Sequence, residues 1–192
     1  MELYKKSLKT LELSSVLKML AGEAVGEYAK ERAMELLPSN DRFQVETRLG
    51  ETSEAKELIA LKGSPPFSGI MDVEASLNRA KLGGILNTKE LLRIAQVLKS
   101  ARQLRSYYAD YDGKLLERYF TSLHPNKYLE EKITNSIPVE DEIADSASAE
   151  LANIRRLIRV AGAKVRDILQ KFITSSSYQK ALQEPIITMR AD

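Results

Sequence analysis

Six cations crowd one stretch of this chain: Arg155, Arg156, Arg159, Lys164, Arg166 and Lys171. Within the same run they face only Glu150 and Asp167. Guanidinium and ammonium groups grouped in this way can take phosphate oxygens, and each such contact weakens with salt because it releases counterions. The same pattern describes the solvated flank of a coiled coil, where Lys and Arg are common. No aromatics are interleaved among the cations. The net charge is +2, so no chain-wide field decides between the two readings.

Catalytic chemistry is thinly supplied, and no catalytic or metal-ligating set is assigned. The sole histidine, His124, stands before Pro125 at the end of a predicted helix. A general base or a metal ligand is one reading; a helix-terminal histidine bonding the last carbonyls is the ordinary one. With no cysteine in the chain, zinc, disulfide and thiol chemistry lack their usual ligands. Glu140, Asp141, Glu142 and Asp145 offer oxygen ligands, but without the glycine turn and spacing of a calcium loop. Their ordinary reading is a solvated approach to a helix N-terminus, where negative charge is favoured. No Gly-x4-Gly-Lys-Ser/Thr loop occurs, and Gly83-Gly84 is followed by Ile85-Leu86, which suits a tight packed turn better than a phosphate cradle. Ser175-Ser176-Ser177 has no base near it in sequence and reads as the end or bend of a helix.

The cations sit on a single predicted helix, about residues 146 to 175. Leu151, Ile154, Ile158, Ala161, Val165, Ile168 and Phe172 recur at alternating spacings of three and four. That is a heptad seam, and it needs another helix along it. Arg159 and Arg166 share one outer heptad position, with Arg155 and Arg156 alongside. Thirty helical residues reach about 45 Å, so part of the helix is expected to project as an arm. No second helix follows before the apolar run at Pro185 to Arg190, and the chain reads as the first part of something longer.

Helical periodicity extends through nearly all of the remainder. One helix, or two broken near Gly22 and Gly26, is expected from Ser14 to Leu37, ending before Pro38. Asn40 or Asp41 can cap a helix running to about Leu61, and Gly63-Ser64-Pro65-Pro66 breaks the chain. A short helix over about Val73 to Lys81 precedes Gly83-Gly84. Asn87-Thr88-Lys89-Glu90 has the form of a capping box. The helix it starts should bury Leu91, Ile94, Leu98, Ala101, Leu104 and Tyr108. Shorter helices are expected over about Lys114 to Leu123 and Asn126 to Asn135. Gly162 inside the long helix should cost about 1 kcal/mol relative to alanine and marks a flexible point or a close helix crossing.

With 43% apolar and 29% charged residues the balance is that of a folded water-soluble chain. No apolar run approaches the roughly 20 residues needed to span a bilayer, and the first residues lack the order of a signal peptide. A cytoplasmic, membrane-free location is expected.

The order of motifs resembles the bacterial MutS-two family, the MutS paralogues with a C-terminal Smr domain. The most specific pieces are Asp145-x-Ala147-Ser148-x-x-Leu151-x-x-Ile154-Arg155-Arg156, then Ser175-Ser176, then Leu182-Gln183-Glu184-Pro185-Ile186-Ile187-Thr188-Met189-Arg190. Gly69-Ile70-Met71-Asp72, Gly83-Gly84-Ile85-Leu86 and Glu90-Leu91-Leu92 support them.

The resemblance implies an all-α fold: a helical bundle of MutS-like core with a long projecting lever helix. Residues 1–144 would be the core, 145–180 the outgoing lever, and 181–192 the start of a clamp region. In the whole family protein an ABC-type ATPase, using ATP and magnesium, forms the homodimer, and an Smr endonuclease ends the chain. Neither domain lies in these residues, so no enzyme activity and no cofactor is expected of them. The family is associated with branched DNA, suppression of homologous recombination, and collided ribosomes. Arg155, Arg156, Arg159, Lys164 and Arg166 are then candidate nucleic-acid contacts, and a returning lever helix is the expected partner of the seam. The alternative is a stand-alone helical adaptor that binds a partner helix through that seam. The mismatch-reading Phe-x-Glu of true MutS proteins is absent: Val45, Gly69, Ser122 and Thr174 stand two residues after Phe43, Phe67, Phe120 and Phe172.

Overall fold

The computed structural model describes residues 2–180, 182, 184 and 186–188. Among them the fold is all-α, with no strand. The helices are α1 (Glu2–Thr10), α2 (Leu13–Glu23), α3 (Glu27–Met34), α4 (Arg42–Lys62), α5 (Glu74–Lys81), α6 (Thr88–Tyr108), α7 (Glu117–Thr121), α8 (Lys127–Ser136), α9 (Ala149–Thr174) and α10 (Ser176–Gln179). A 3-10 turn, Asp145–Ala147, precedes α9. The chain divides into two compact units, Met1–Thr134 and Asn135–Asp192.

Local chemistry sets several helix ends in the first unit. Asp41 caps α4 by accepting from the Gln44 amide at 3.2 Å. At the start of α6 the expected capping box is formed: the Asn87 side chain accepts from the Glu90 amide, and Glu90 accepts from the Asn87 amide, both at 2.9 Å. Glu90 also receives Ser76 at 3.2 Å and an ion pair from Arg79, which binds α5 to α6. After α5, Gly83 has φ +82°. Its amide bonds the Ala80 carbonyl and the Gly84 amide bonds that of Arg79, both at 2.9 Å. This is a Schellman end, which needs the left-handed residue that glycine supplies most cheaply. The turn is tight as expected, but Leu82 and Ile85 beside it are almost fully exposed rather than packed.

The centre of this unit is α6, laid against α4, α7 and the 63–70 loop. Ile94, Leu104 and Tyr108 are buried as expected, while Leu91, Leu98 and Ala101 are half-buried. Ala95 and Ser100 are buried as well. Ser100 Oγ lies 2.9 Å from the Ser68 carbonyl and 3.0 Å from that of Gln96, so its buried hydroxyl is satisfied. Tyr107 donates to the Gly63 carbonyl at 2.6 Å. Tyr108 stacks on Phe120 of α7, with ring centroids 4.4 Å apart.

A carboxylate organises the turn into α7. Glu54 accepts from the amides of Leu115 at 2.9 Å and Leu116 at 3.0 Å. Burial pushes its pKa up, but the backbone bonds from Leu115, Leu116 and Lys114 and the Tyr108 hydroxyl outweigh that, and it titrates below its ordinary value. Helix α7, Glu117–Thr121, starts after this turn and is shorter than expected at both ends. On α8, Glu130 is buried and takes a forked pair from Arg102 of α6, at 2.9 and 2.7 Å.

Candidate functional site

In the second unit the chain turns at a bridge between Val139 and Glu142 and enters the 3-10 turn at Asp145. Helix α9 then begins at Ala149, three residues later than the sequence pattern alone indicates. Ser148 caps it by accepting from the Leu151 amide at 3.0 Å. At 26 residues it is about 39 Å long. It runs through Gly162 without a break and ends at Thr174, where the Ser175 amide bonds the Lys171 carbonyl. Ser175 then starts α10, so the serine triplet does bend the chain.

No residue of α9 is buried. Along the seam, Leu151 is half-buried and the others are exposed: Ile154, Ile158, Ala161, Val165, Ile168 and Phe172. Leu157 and Leu169, at the positions flanking the seam, are exposed too, so the apolar stripe is wider than a heptad pattern requires. Gly162 has open space where a Cβ would stand, and no close helix crossing occurs there among the described residues. Phe172 meets Tyr178 of α10 edge-on, centroids 4.8 Å apart, which covers one face of the ring.

The candidate cations separate into two groups. Arg155 Nη1 donates to Asp145 Oδ1 at 2.6 Å and to the Ile143 carbonyl at 2.7 Å. Arg159 Nη1 reaches Asp145 Oδ2 at 3.3 Å. Hydrogen bonding from Arg155 holds the Asp145 carboxyl below its ordinary pKa, Arg159 adds to this, and burial opposes it only partly. The acidic approach to α9 is therefore not simply solvated: Asp145 is a ligand for two arginines. Arg156 donates to Asn153 at 2.9 Å. Lys164 and Arg166 are exposed and have no ion-pair partner among the described residues. The charge available to an incoming anion thus lies chiefly on Arg156, Lys164 and Arg166, with Lys171 also exposed.

No group of three His, Asp or Glu side chains that could hold a metal ion gathers among the described residues. His124 is exposed. The last carbonyls of α7, those of Arg118, Tyr119 and Phe120, take their bonds from Ser122 and Leu123 rather than from His124. No described helix is long and apolar enough to cross a membrane. Most of residues 181–192, including Gln183, Pro185, Met189 and Arg190 of the expected clamp segment, lie outside the described residues.

What decides the relationship is the match along the sequence. The chain is 43% identical over 192 residues to the protein named endonuclease MutS2 of Acetivibrio thermocellus. The alignment covers 97% of this chain and 24% of that protein. It is 41% identical over 191 residues to endonuclease MutS2 of Ruminiclostridium cellulolyticum and 36% over 192 to that of Alkaliphilus oremlandii, with the same coverage. The chain is homologous to MutS2. It spans about a quarter of the length of the curated MutS2 relatives it matches. No family model matches it. Homology to MutS2 accounts for the motif order around Asp145–Arg156, whose side chains now have a structural role: Ser148 starts the helix, and Asp145 clasps Arg155 across its first turns.

Proposed function

We propose that this chain is the core-and-lever portion of a MutS2 protein and that its role is mechanical. Residues 1–144 serve as core, 145–180 as the outgoing lever and 181–192 as the start of a clamp. The lever transmits rearrangements of an ATPase, supplied with its ATP and magnesium by another part of the whole protein, to a clamp that holds branched DNA or a collided ribosome. The whole protein is a cytoplasmic homodimer, and the endonuclease named in its relatives belongs to residues beyond this chain.

The observation that supports this most is α9, a 26-residue helix with no buried residue in a chain that matches a quarter of each relative. A helix with an apolar stripe of this width is stable in water chiefly by packing that stripe, and a returning lever helix supplies the packing. Hydrogen exchange tests it. Amides of 149–174 should exchange fast in the 192-residue chain diluted to its monomer and slowly in the product of the complete reading frame that contains it. Equal protection in a monomer of each would overturn the lever assignment.

The phosphate contacts are separable from the lever. In the complete protein, Arg156→Gln, Lys164→Gln and Arg166→Gln together should reduce the salt slope of binding to a four-way DNA junction by about three. An unchanged slope would remove these residues from the ligand surface and leave the mechanical role standing.

A further inference from the structure

The first unit carries a groove of about 820 Å³ between the α2–α3 turn and the 67–74 segment. Its floor is apolar, and Val25, Tyr28, Ile70 and Met71 stand exposed on it. All the charged residues that line it are acidic: Glu23, Glu27, Glu31, Asp72 and Glu74. Glu27 is paired with Lys30 at 2.8 Å and the Asp72 carboxyl accepts from the Glu74 amide at 2.9 Å. Glu23, Glu31 and Glu74 are exposed at the rim. An apolar floor under a wholly negative rim fits an amphipathic helix whose apolar stripe is flanked by cations.

The same chain displays such a helix. The stripe of α9 is exposed from Ile154 to Phe172, and Lys164 and Lys171 occupy the position beside it in two successive heptads. Arg155 lies on the opposite flank but is engaged by Asp145. A helix laid with its stripe on the floor would turn these two lysines, seven residues apart, toward the acidic rim.

We infer that in the 192-residue chain the acidic groove receives α9 of a second copy, giving a reciprocal dimer with two such contacts. Each contact joins an exposed apolar surface to its counterpart and sets cations against anions. The occupant competes with the returning helix of the mechanical reading for one stripe, so failure of either leaves the other untouched.

Sedimentation equilibrium of the 192-residue chain tests the inference. A monomer–dimer equilibrium is expected below about 100 µM, weakened at least tenfold by raising salt from about 0.1 to 0.5 M. A groove variant (Glu23→Lys, Glu31→Lys, Glu74→Lys) and a helix variant (Lys164→Glu, Lys171→Glu) should each dissociate at least tenfold more readily. Mixing the two restores complementarity at both contacts and should return the dimer as a heterodimer. All five positions are exposed, and circular dichroism checks that the variants stay helical. A chain monomeric throughout this range overturns the inference. So does a dimer indifferent to the groove variant, since that dimer would pair seam with seam.

Discussion

Arg155 holds Asp145 at 2.6 Å from ten residues further along the chain, and the same guanidinium nitrogen bonds the Ile143 carbonyl at 2.7 Å. The segment leading into the long helix is thereby tied to the helix's second turn, and Arg155 is withdrawn from the positive face. Arg159 shares the same carboxylate at 3.3 Å. An anion approaching α9 meets two arginines that already have a partner.

Replacing Asp145 by Asn should release both. Asn keeps the shape and can still accept one bond, but the charge that competes with phosphate is gone. If α9 contacts nucleic acid in the complete protein, Asp145→Asn should tighten binding at low salt and steepen the salt slope by about one to two. A titration of one DNA junction across salt reads this. A slope unaffected by Asp145→Asn would place Arg155 and Arg159 in a purely structural clasp.

The Glu130–Arg102 pair gives the first unit an acid-sensitive joint. Hydrogen bonding from Arg102 holds Glu130 below its ordinary pKa despite the opposing effect of burial. A folded pKa below the unfolded one stabilises the fold above the unfolded value and loses that contribution as pH falls through the folded one. The loss therefore begins near the ordinary glutamate value of about 4.3 and continues below it. Urea midpoints measured from neutral pH down to about 3 should fall less steeply for Glu130→Gln than for the parent chain. The variant should also be less stable at neutral pH, by about 1–3 kcal/mol.

Gly69 should resist substitution for two separable reasons. Its φ is +88°, and a Cβ there would collide with Gln96 Nε2 and stand 2.7 Å from its Cγ. Gly69→Ala is expected to destabilise the first unit by about 1–3 kcal/mol. Pairing it with Gln96→Ala removes the collision and leaves the backbone strain, so a double-mutant cycle in urea should show coupling above about 0.5 kcal/mol. Simple additivity would mean that Gln96 swings aside at no cost.

Gly162→Ala should act in the opposite direction. The position is helical and open, so alanine gains about 1 kcal/mol of helix propensity with nothing to strike. A higher thermal midpoint of the helical circular dichroism signal in the 192-residue chain is the expected result. A lower midpoint would reveal a neighbour pressed against Gly162, such as a second copy.

Helix positions were largely legible in the residues because caps and breakers act over four residues or fewer. Asp41, the Asn87–Glu90 box, Gly83-Gly84 and Ser175 each act where their type indicates. Illegible features depend on partners far along the chain. Ser100 is buried because the loop carrying Ser68 returns to it, and nothing polar in a helix advertises such a visitor. The turn before α7 is held by Glu54, some sixty residues earlier, which accepts from the amides of Leu115 and Leu116. The Leu123 carbonyl, just before His124, is met by Arg105 from eighteen residues earlier.

The long helix marks the same boundary for function. Its apolar period and its basic excess are properties of consecutive residues, and so is the motif order, which was enough to point to MutS2. Which cations remain free was a tertiary matter, decided when the turn at Asp145 brought one carboxylate within reach of two arginines. The acidic groove is tertiary too, since Glu23 and Glu74 stand far apart in sequence and only folding sets them around one apolar floor. Periodicity is carried by neighbours in sequence; charge pairing and concavity are carried by neighbours in space.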